Sequence, residues 1–328
     1  MKRIAALALF AALTGPVAAD IADRSAVQEF IDRMSREHGF ERGRLEAVFR
    51  DVEIQQDIIE AISRPAESLP WHRYRPIFVT ESRTREGVAF WQANAELLAE
   101  AEERYGVDPA VVVAILGVET RYGAHKGGHR VVDALSTLAF AYPPRADFFR
   151  SELEHYLLMA REEGFAPAER LGSYAGAMGK PQFIASSFRR FAVDFDGDGR
   201  RDLWQGTADA IGSVAHYLKV HDWQRGGAIA TPAPQVPDDA SQLAERGYKP
   251  WASVAHLRAR GVNSAADVPD DAEAALLELE GADGPRYWVV LNNFYAITRY
   301  NHSPLYAMAV HQLAEAIRAA RQGGSAAE

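Results

Sequence analysis

Glu119 stands out first for chemistry. It closes a run from Ala110 in which every other residue is apolar or glycine, one helical turn before Gly123. Two effects push a carboxyl pKa upward at such a place: desolvation by apolar surroundings, and the negative end of the helix dipole. A glutamic acid kept protonated near neutral pH is what general-acid cleavage of a glycosidic bond requires. The competing reading is structural, an ion pair with Arg121 or another arginine.

Two further segments carry chemical signals. Ser173-Tyr174-Ala175-Gly176-Ala177-Met178-Gly179-Lys180-Pro181-Gln182-Phe183 is rich in small residues that let the backbone approach a ligand closely. It also offers an aromatic face and an amide, although a tight helix crossing would use the same residues. Asp194-Phe195-Asp196-Gly197-Asp198-Gly199 matches the front of a calcium loop, with carboxylates at alternate positions and glycine at the turn. The back of that loop departs, since its twelfth position is Gln205 and only Asp209 stands near to complete a shell. A solvated acidic loop is the alternative. His125 and His129 flank Gly127-Gly128 and lack a third clustered ligand, so they read as surface histidines.

These residues need a frame, and the periodicity predicts a mostly helical one. Apolar positions recur at helical spacing over 25–38, 44–61 and 87–104. Asp108-Pro109 provides an N-cap and first-turn proline for the apolar helix VVVAILGVETRY over 111–122, with Gly123 as its C-terminal stop. Further helices are expected over 131–141, 146–162, 186–191, 207–220 and 304–321. After Trp223 a Pro-rich stretch leads to shorter elements, including strand-like segments at 275–281 and 286–291. The expected organisation is a helical body over 20–225, a small α+β insertion over 226–292, a segment over 293–321 that returns to the body, and a tail over 322–328.

Composition bounds the rest. The 328 residues are 48% hydrophobic and 25% charged, which suits a globular chain with a sizeable core. With 36 Lys+Arg against 45 Asp+Glu the formal charge is −9, which argues against a broad grip on nucleic acid. There is no cysteine, which excludes disulfides, thiolate nucleophiles, cysteine-ligated metals and an N-terminal lipid anchor on cysteine. No G-x-S-x-G, Walker or G-x-G-x-x-G motif appears, so serine-hydrolase, nucleotide and dinucleotide chemistry find no footing. Residues 1–19 read as a secretory signal: Lys2-Arg3, an apolar stretch from Ile4 to Leu13, and small residues at 17–19. The expected mature protein is soluble, exported and without a membrane span.

Taken together, GVETRYG (117–123), SYAGAMGKPQF (173–183), AVDFDGDGRRDLW (192–204), DAIGSVAHYL (209–218) and TRYNHSPLYAMAV (298–310) resemble the lytic murein transglycosylase B family. With PWHRYRPIFVT (70–80), the likeness spans most of the mature chain in order and spacing. The resemblance implies a lysozyme-like helical fold with a small additional domain and an EF-hand-like calcium loop. It also implies cleavage of the β-1,4 bond between N-acetylmuramic acid and N-acetylglucosamine in peptidoglycan, leaving 1,6-anhydro ends. By matching position, Glu119 would be the single catalytic acid and base. Ser173 and Asn301 would hold the acetamido group, and Gln182, Tyr74, Tyr217, Tyr300 and Tyr306 would line the glycan groove. Asp194, Asp196 and Asp198, the Arg200 carbonyl and Asp209 would hold a structural Ca²⁺, with no organic cofactor. Expected partners are glycan strands and proteins of wall synthesis, with the enzyme a monomer. Pro144, Phe148, Lys180-Pro181 and Ala185 depart from the family pattern, leaving Arg145 as the candidate for a peptide or lactyl carboxylate. A catalytically idle wall-binding protein and a water-using muramidase are the alternatives.

Overall fold

The computed structural model describes residues 21–63 and 69–325. The leader expected over 1–19 and the last residues of the expected tail lie outside them. The chain forms two units, divided between Ile54 and Gln55.

In the first unit, helix Ser25–His38 buries Val27, Phe30, Ile31 and Met34 along one face. Gly39 ends it in the left-handed conformation at φ 67°, donating its N–H to the Met34 and Ser35 carbonyls. Helix Arg42–Arg50 answers with Leu45 and Phe49, and Phe49 meets Phe30 edge-on at 5.8 Å. The expected continuous helix over 44–61 is therefore two helices, the second being Gln56–Ser63. At the break, the Gln55 N–H leaves the helical ladder and donates to Thr137 Oγ1 at 3.0 Å. The helix expected over 87–104 is likewise split, into Glu81–Ala93 and Ala95–Tyr105. Asn94 leaves helical geometry (φ −127°, ψ 28°) and its side-chain amide donates to the Phe90 carbonyl at 2.8 Å. Asparagine competes with the helix for backbone partners, and here it wins.

The second unit is built around helix Pro109–Thr120. Asp108 caps it by accepting the Ala110 N–H at 2.8 Å, and every residue of the helix except Glu119 is buried. Helices Glu81–Ala93, Ala95–Tyr105, Thr207–Val220 and Pro304–Ser325 pack around it. A short helix that the periodicity did not predict, Trp71–Phe78, carries Tyr74 and contains Pro76. Helices Val131–Ala141 and Ala146–Glu163 form an adjoining pair.

The region from Ala230 to Leu291 holds a four-stranded antiparallel sheet in the order Ala230–Pro232, Gly284–Leu291, Glu273–Gly281, Ala252–Ser253. The two long strands form a hairpin from Ala274 opposite Leu291 to Gly281 opposite Gly284. Ala274, Leu276, Val289 and Leu291 pack with Leu243, Val254 and Leu257 in a core of their own. One face of the sheet packs against two short helices, Ala240–Ala244 and Val254–Ala259, and Ala275, Leu277 and Val290, which alternate with those core positions along the strands, are buried as well.

The end of the central helix is shaped by a ring rather than by Gly123. Arg121 (φ 50°) and Tyr122 (φ 61°) take the left-handed conformation ahead of Gly123 (φ 94°), and their N–H groups close onto the carbonyls of Gly117 and Leu116. This folds the Tyr122 ring back against Gly117 and Gly87, where its hydroxyl donates to the Arg83 carbonyl at 2.7 Å. A Cβ on Gly117 would lie 2.7–2.8 Å from the tyrosine ring and hydroxyl. Gly117→Ala should therefore destabilise the protein by about 1–3 kcal/mol, the usual cost of overpacking, as measured by urea denaturation.

Candidate active site

Glu119 keeps some exposure while the rest of its helix is sealed, so its carboxylate opens from the core toward solvent. Tyr306, on the first turns of the last helix, donates its hydroxyl to Glu119 Oε1 at 2.6 Å. Tyr300 stacks on Tyr306 with centroids 6.4 Å apart and planes 10° from parallel, and its hydroxyl donates to the Pro181 carbonyl at 2.5 Å. Tyr217 packs on Tyr300 at 4.8 Å and donates to the Arg299 carbonyl. Tyr74 reaches the same locus from helix Trp71–Phe78.

Two opposing effects set the proton affinity of Glu119. Burial disfavours its charged form, the Tyr306 hydrogen bond favours it, and burial wins, pushing the pKa up to about 7. The phenols of Tyr300 and Tyr306 are pushed well up by burial and by the Glu119 charge beside them. Tyr74 is raised for the same two reasons. All three stay neutral, and Tyr300 and Tyr306 act as hydrogen-bond donors. Arg121 does not neutralise Glu119: it points away, in a two-pronged pair with Glu86 at 2.5 and 2.6 Å.

The segment Ser173–Phe183 forms a strap beside this cluster. Ser173 Oγ accepts the N–H groups of Ala175 and Ala177 at 3.3 and 3.0 Å, holding the turn. Gly176 (φ 80°) packs on Leu135, and Gly179 (φ 70°) packs on the Leu203 backbone so closely that a Cβ would sit 2.6 Å from its oxygen. Gln182 takes φ 52°, and its amide nitrogen donates to the carbonyls of Gly179 and Lys126. Thr120 Oγ1 donates to the Lys180 carbonyl at 2.7 Å, so the residue after Glu119 grips the strap directly.

The remaining candidates divide by burial. Tyr306 and Tyr217 are buried, with exposures of 3% and 8%, and stand behind the surface of the cleft. Asn301 is exposed, with Oδ1 accepting the Ser303 N–H at 3.2 Å. Arg145 lies over the rings of Phe148 and Phe149 at 4.4 and 5.2 Å, and no contact joins it to the Glu119 cluster. Sequence reasoning passed over Thr120 and treated Lys180 as a departure. Neither carries a local signal, because both act through partners far away in sequence.

The acidic loop folds on itself. Asp194 accepts the N–H groups of Gly197, Asp198 and Gly199 at 2.8–3.1 Å. Asp209 accepts those of Phe195 and Asp202 at 2.8 and 2.7 Å. One oxygen each from Asp194, Asp196 and Asp209 lie within 4.8 Å of one another. Burial raises the Asp209 pKa, and the charges of Asp196 and Asp194 add to that. Three converging carboxylates fit a hard, oxygen-seeking cation. Asp198 is not in that group and instead accepts the Arg200 N–H at 2.9 Å.

An acid whose proton affinity is set by desolvation, at the end of the central helix of a helical body, is the arrangement that the resemblance to lysozyme-like transglycosylases leads us to expect. Comparison with known proteins agrees. The transglycosylase SLT domain family matches residues 22–315. The membrane-bound lytic murein transglycosylase B of Escherichia coli is 41% identical over 316 residues, 92% of this chain and 85% of that protein. Catenated SltB1 from Pseudomonas aeruginosa superposes with a TM-score of 0.88 at 50% identity, covering 92% of this chain and all of that one. Slt35 of E. coli in complex with calcium gives 0.84 at 42%, covering 92% and 95%. SltB3 of P. aeruginosa in complex with NAG-anhNAM-pentapeptide gives 0.79 at 33%, covering 90% and 80%. The chain belongs to this family of lytic transglycosylases, of the murein transglycosylase B type, and it is an enzyme.

The raised acid has a consequence for stability. Between the ordinary glutamate pKa and about 7, the folded state holds a proton on Glu119 that the unfolded state has released. The contribution of this group to stability is therefore full below that window and falls as pH rises through it. Glu119→Gln cannot ionise, so it should gain on the wild type between about pH 4.5 and 7.5, by on the order of 1–3 kcal/mol. Urea melts of both proteins at pH 4.5 and pH 7.5 would measure the difference.

Proposed function

We propose that the protein cleaves the β-1,4 bond between N-acetylmuramic acid and N-acetylglucosamine in peptidoglycan without consuming water. Glu119, protonated near neutral pH, donates its proton to the glycosidic oxygen as the C1–O bond breaks. The 2-acetamido oxygen of the muramic residue stabilises the cation at C1. Glu119, now a carboxylate, takes the proton of the C6 hydroxyl, whose oxygen attacks C1 and closes the 1,6-anhydro ring. Ser173 and Asn301 hold the acetamido group, Gln182, Tyr74 and Tyr300 line the glycan site with Tyr217 and Tyr306 buried behind them, and Arg145 serves a substrate carboxylate. Tyr306 orients the acid.

The observation that carries this reading is that no second carboxylate among the described residues acts on Glu119. Ordinary glycosidases place a second carboxylate about 5–10 Å from the first, where its charge would raise the acid further. Among the described residues, burial and the Tyr306 hydroxyl set the proton affinity of Glu119, and no carboxylate charge does. A lone acid suits a reaction in which the substrate supplies its own nucleophile. The family membership and the anhydro-sugar ligand of the SltB3 structure support it. Among the described residues no helix is long and apolar enough to cross a membrane, in keeping with a soluble periplasmic enzyme exported by the 1–19 leader.

Mass spectrometry of muropeptides released from purified sacculi tests the reaction. Products one water lighter than hydrolysis products are expected, and none from Glu119→Gln. Reducing ends would make the enzyme a hydrolase, and bound but uncut sacculi would make it a wall-binding protein.

For the acidic loop we propose a structural Ca²⁺ held by Asp194, Asp196 and Asp209, with Asp198 and the Arg200 carbonyl completing the shell. Bound calcium would neutralise three carboxylates that otherwise repel one another. Millimolar Ca²⁺ should raise the melting temperature over that in chelator, since a ligand at 100 times its Kd adds about 2.7 kcal/mol. Asp194→Asn with Asp209→Asn should abolish the increment.

A further inference from the structure

Lys180, part of the strap, bonds to the segment leaving the acidic loop. Its ammonium donates to the Gln205 carbonyl at 2.7 Å and to Thr207 Oγ1 at 2.6 Å, and its N–H donates to the Leu203 carbonyl at 2.8 Å. Its stem lies over Gly123, in the turn that follows Glu119. The backbone at the same place accepts two bonds from the acid's surroundings: Thr120 Oγ1 on the Lys180 carbonyl and the Tyr300 hydroxyl on the Pro181 carbonyl. Tyr300 stacks on Tyr306, which bonds Glu119. On the far side, Asp202 caps the N–H groups of Trp204 and Gln205, and its own N–H is held by Asp209.

Among the described residues, Lys180 makes no ion pair. Its ammonium is half buried and committed to two neutral oxygens, with Asp202 and Lys126 as the charged neighbours, and burial lowers its pKa. A methionine of similar length would fill the space without the cost of desolvating a charge. The cost is rational if the two bonds fix something whose position matters.

We propose that Lys180 is a positioning residue that locks the strap carrying the Lys180 and Pro181 carbonyls onto residues 203–207, and so fixes Thr120, Tyr300 and Tyr306 around Glu119. The inference rests on Glu119 being the catalytic acid. It gives a reason for a lysine at a position where the family pattern is departed from, and it makes the geometry of the acid depend on a segment ordered by the acidic loop.

The test compares wild type, Lys180→Met, Lys180→Arg, Thr207→Val and Glu119→Gln on soluble uncrosslinked glycan strands. Readouts are kcat, KM, the alkaline limb of the pH profile and the melting temperature. Displacing a catalytic group by about an ångström costs roughly 100-fold in rate, so Lys180→Met should lose about 10- to 100-fold in kcat with KM changed less than about 2-fold. Loosening the enclosure admits water to Glu119, so the alkaline limb should move to lower pH. Lys180→Arg, which keeps both donations, should restore most of the rate and the limb. A folded Lys180→Met with wild-type kcat and limb overturns the proposal. So does a rate that falls only in step with melting temperature, with the limb unmoved. Should Lys180→Met fail to fold, Thr207→Val decides: a lowered limb supports the link and an unchanged one overturns it. Activity in Glu119→Gln would overturn the underlying assignment of the acid.

Discussion

The desolvation of one carboxylate is the constraint on which the rest depends. A helix whose other residues are all buried delivers Glu119 to the edge of the core, where water covers it only in part. The hydrogen bond from Tyr306 would by itself strengthen the acid, and the surrounding burial overrides it. The outcome is a group close to balance between protonated and ionised forms near neutral pH, suited to giving up a proton and taking one back.

Holding that balance takes neighbours that stay neutral. Tyr300 and Tyr306 donate hydrogen bonds, and burial together with the Glu119 charge raises the pKa values of both and of Tyr74 and keeps them protonated. The one arginine adjacent in sequence is diverted to Glu86 by the left-handed turn at Arg121 and Tyr122. That turn holds two consecutive non-glycine residues in a conformation each visits at a cost of about 1–2 kcal/mol. The fit of the Tyr122 ring against Gly87 and Gly117 holds it there. Strain is thus spent where an arginine left in place would have ionised the acid.

The acidic loop extends the same logic to a distance. Its aspartates satisfy the N–H groups of a tight turn, and Asp209 reaches both ends of the loop from helix Thr207–Val220. The segment beyond it meets the glycine-rich strap at Gly179 and Lys180. Small residues in the strap serve close packing on Leu135 and Leu203, so one of the two readings open at the level of sequence, tight packing, is realised at those positions.

The sequence alone determined the helical class, the apolar helix ending in Glu119, the acidic loop and the hairpin of 273–291, because each rests on contacts between residues close in the chain. Periodicity failed at Asn94 and Gln55, where a single side-chain or backbone bond outbids the helix. Tertiary structure alone decided which tyrosine touches the acid. Tyr306 lies 187 residues from Glu119 and Tyr300 lies 119 from Pro181, and no local pattern encodes such a meeting. It decided too that Arg121 turns away and that Lys180 bridges two loops. A proton affinity is a property of everything packed around a group, and that packing exists only once the chain has folded.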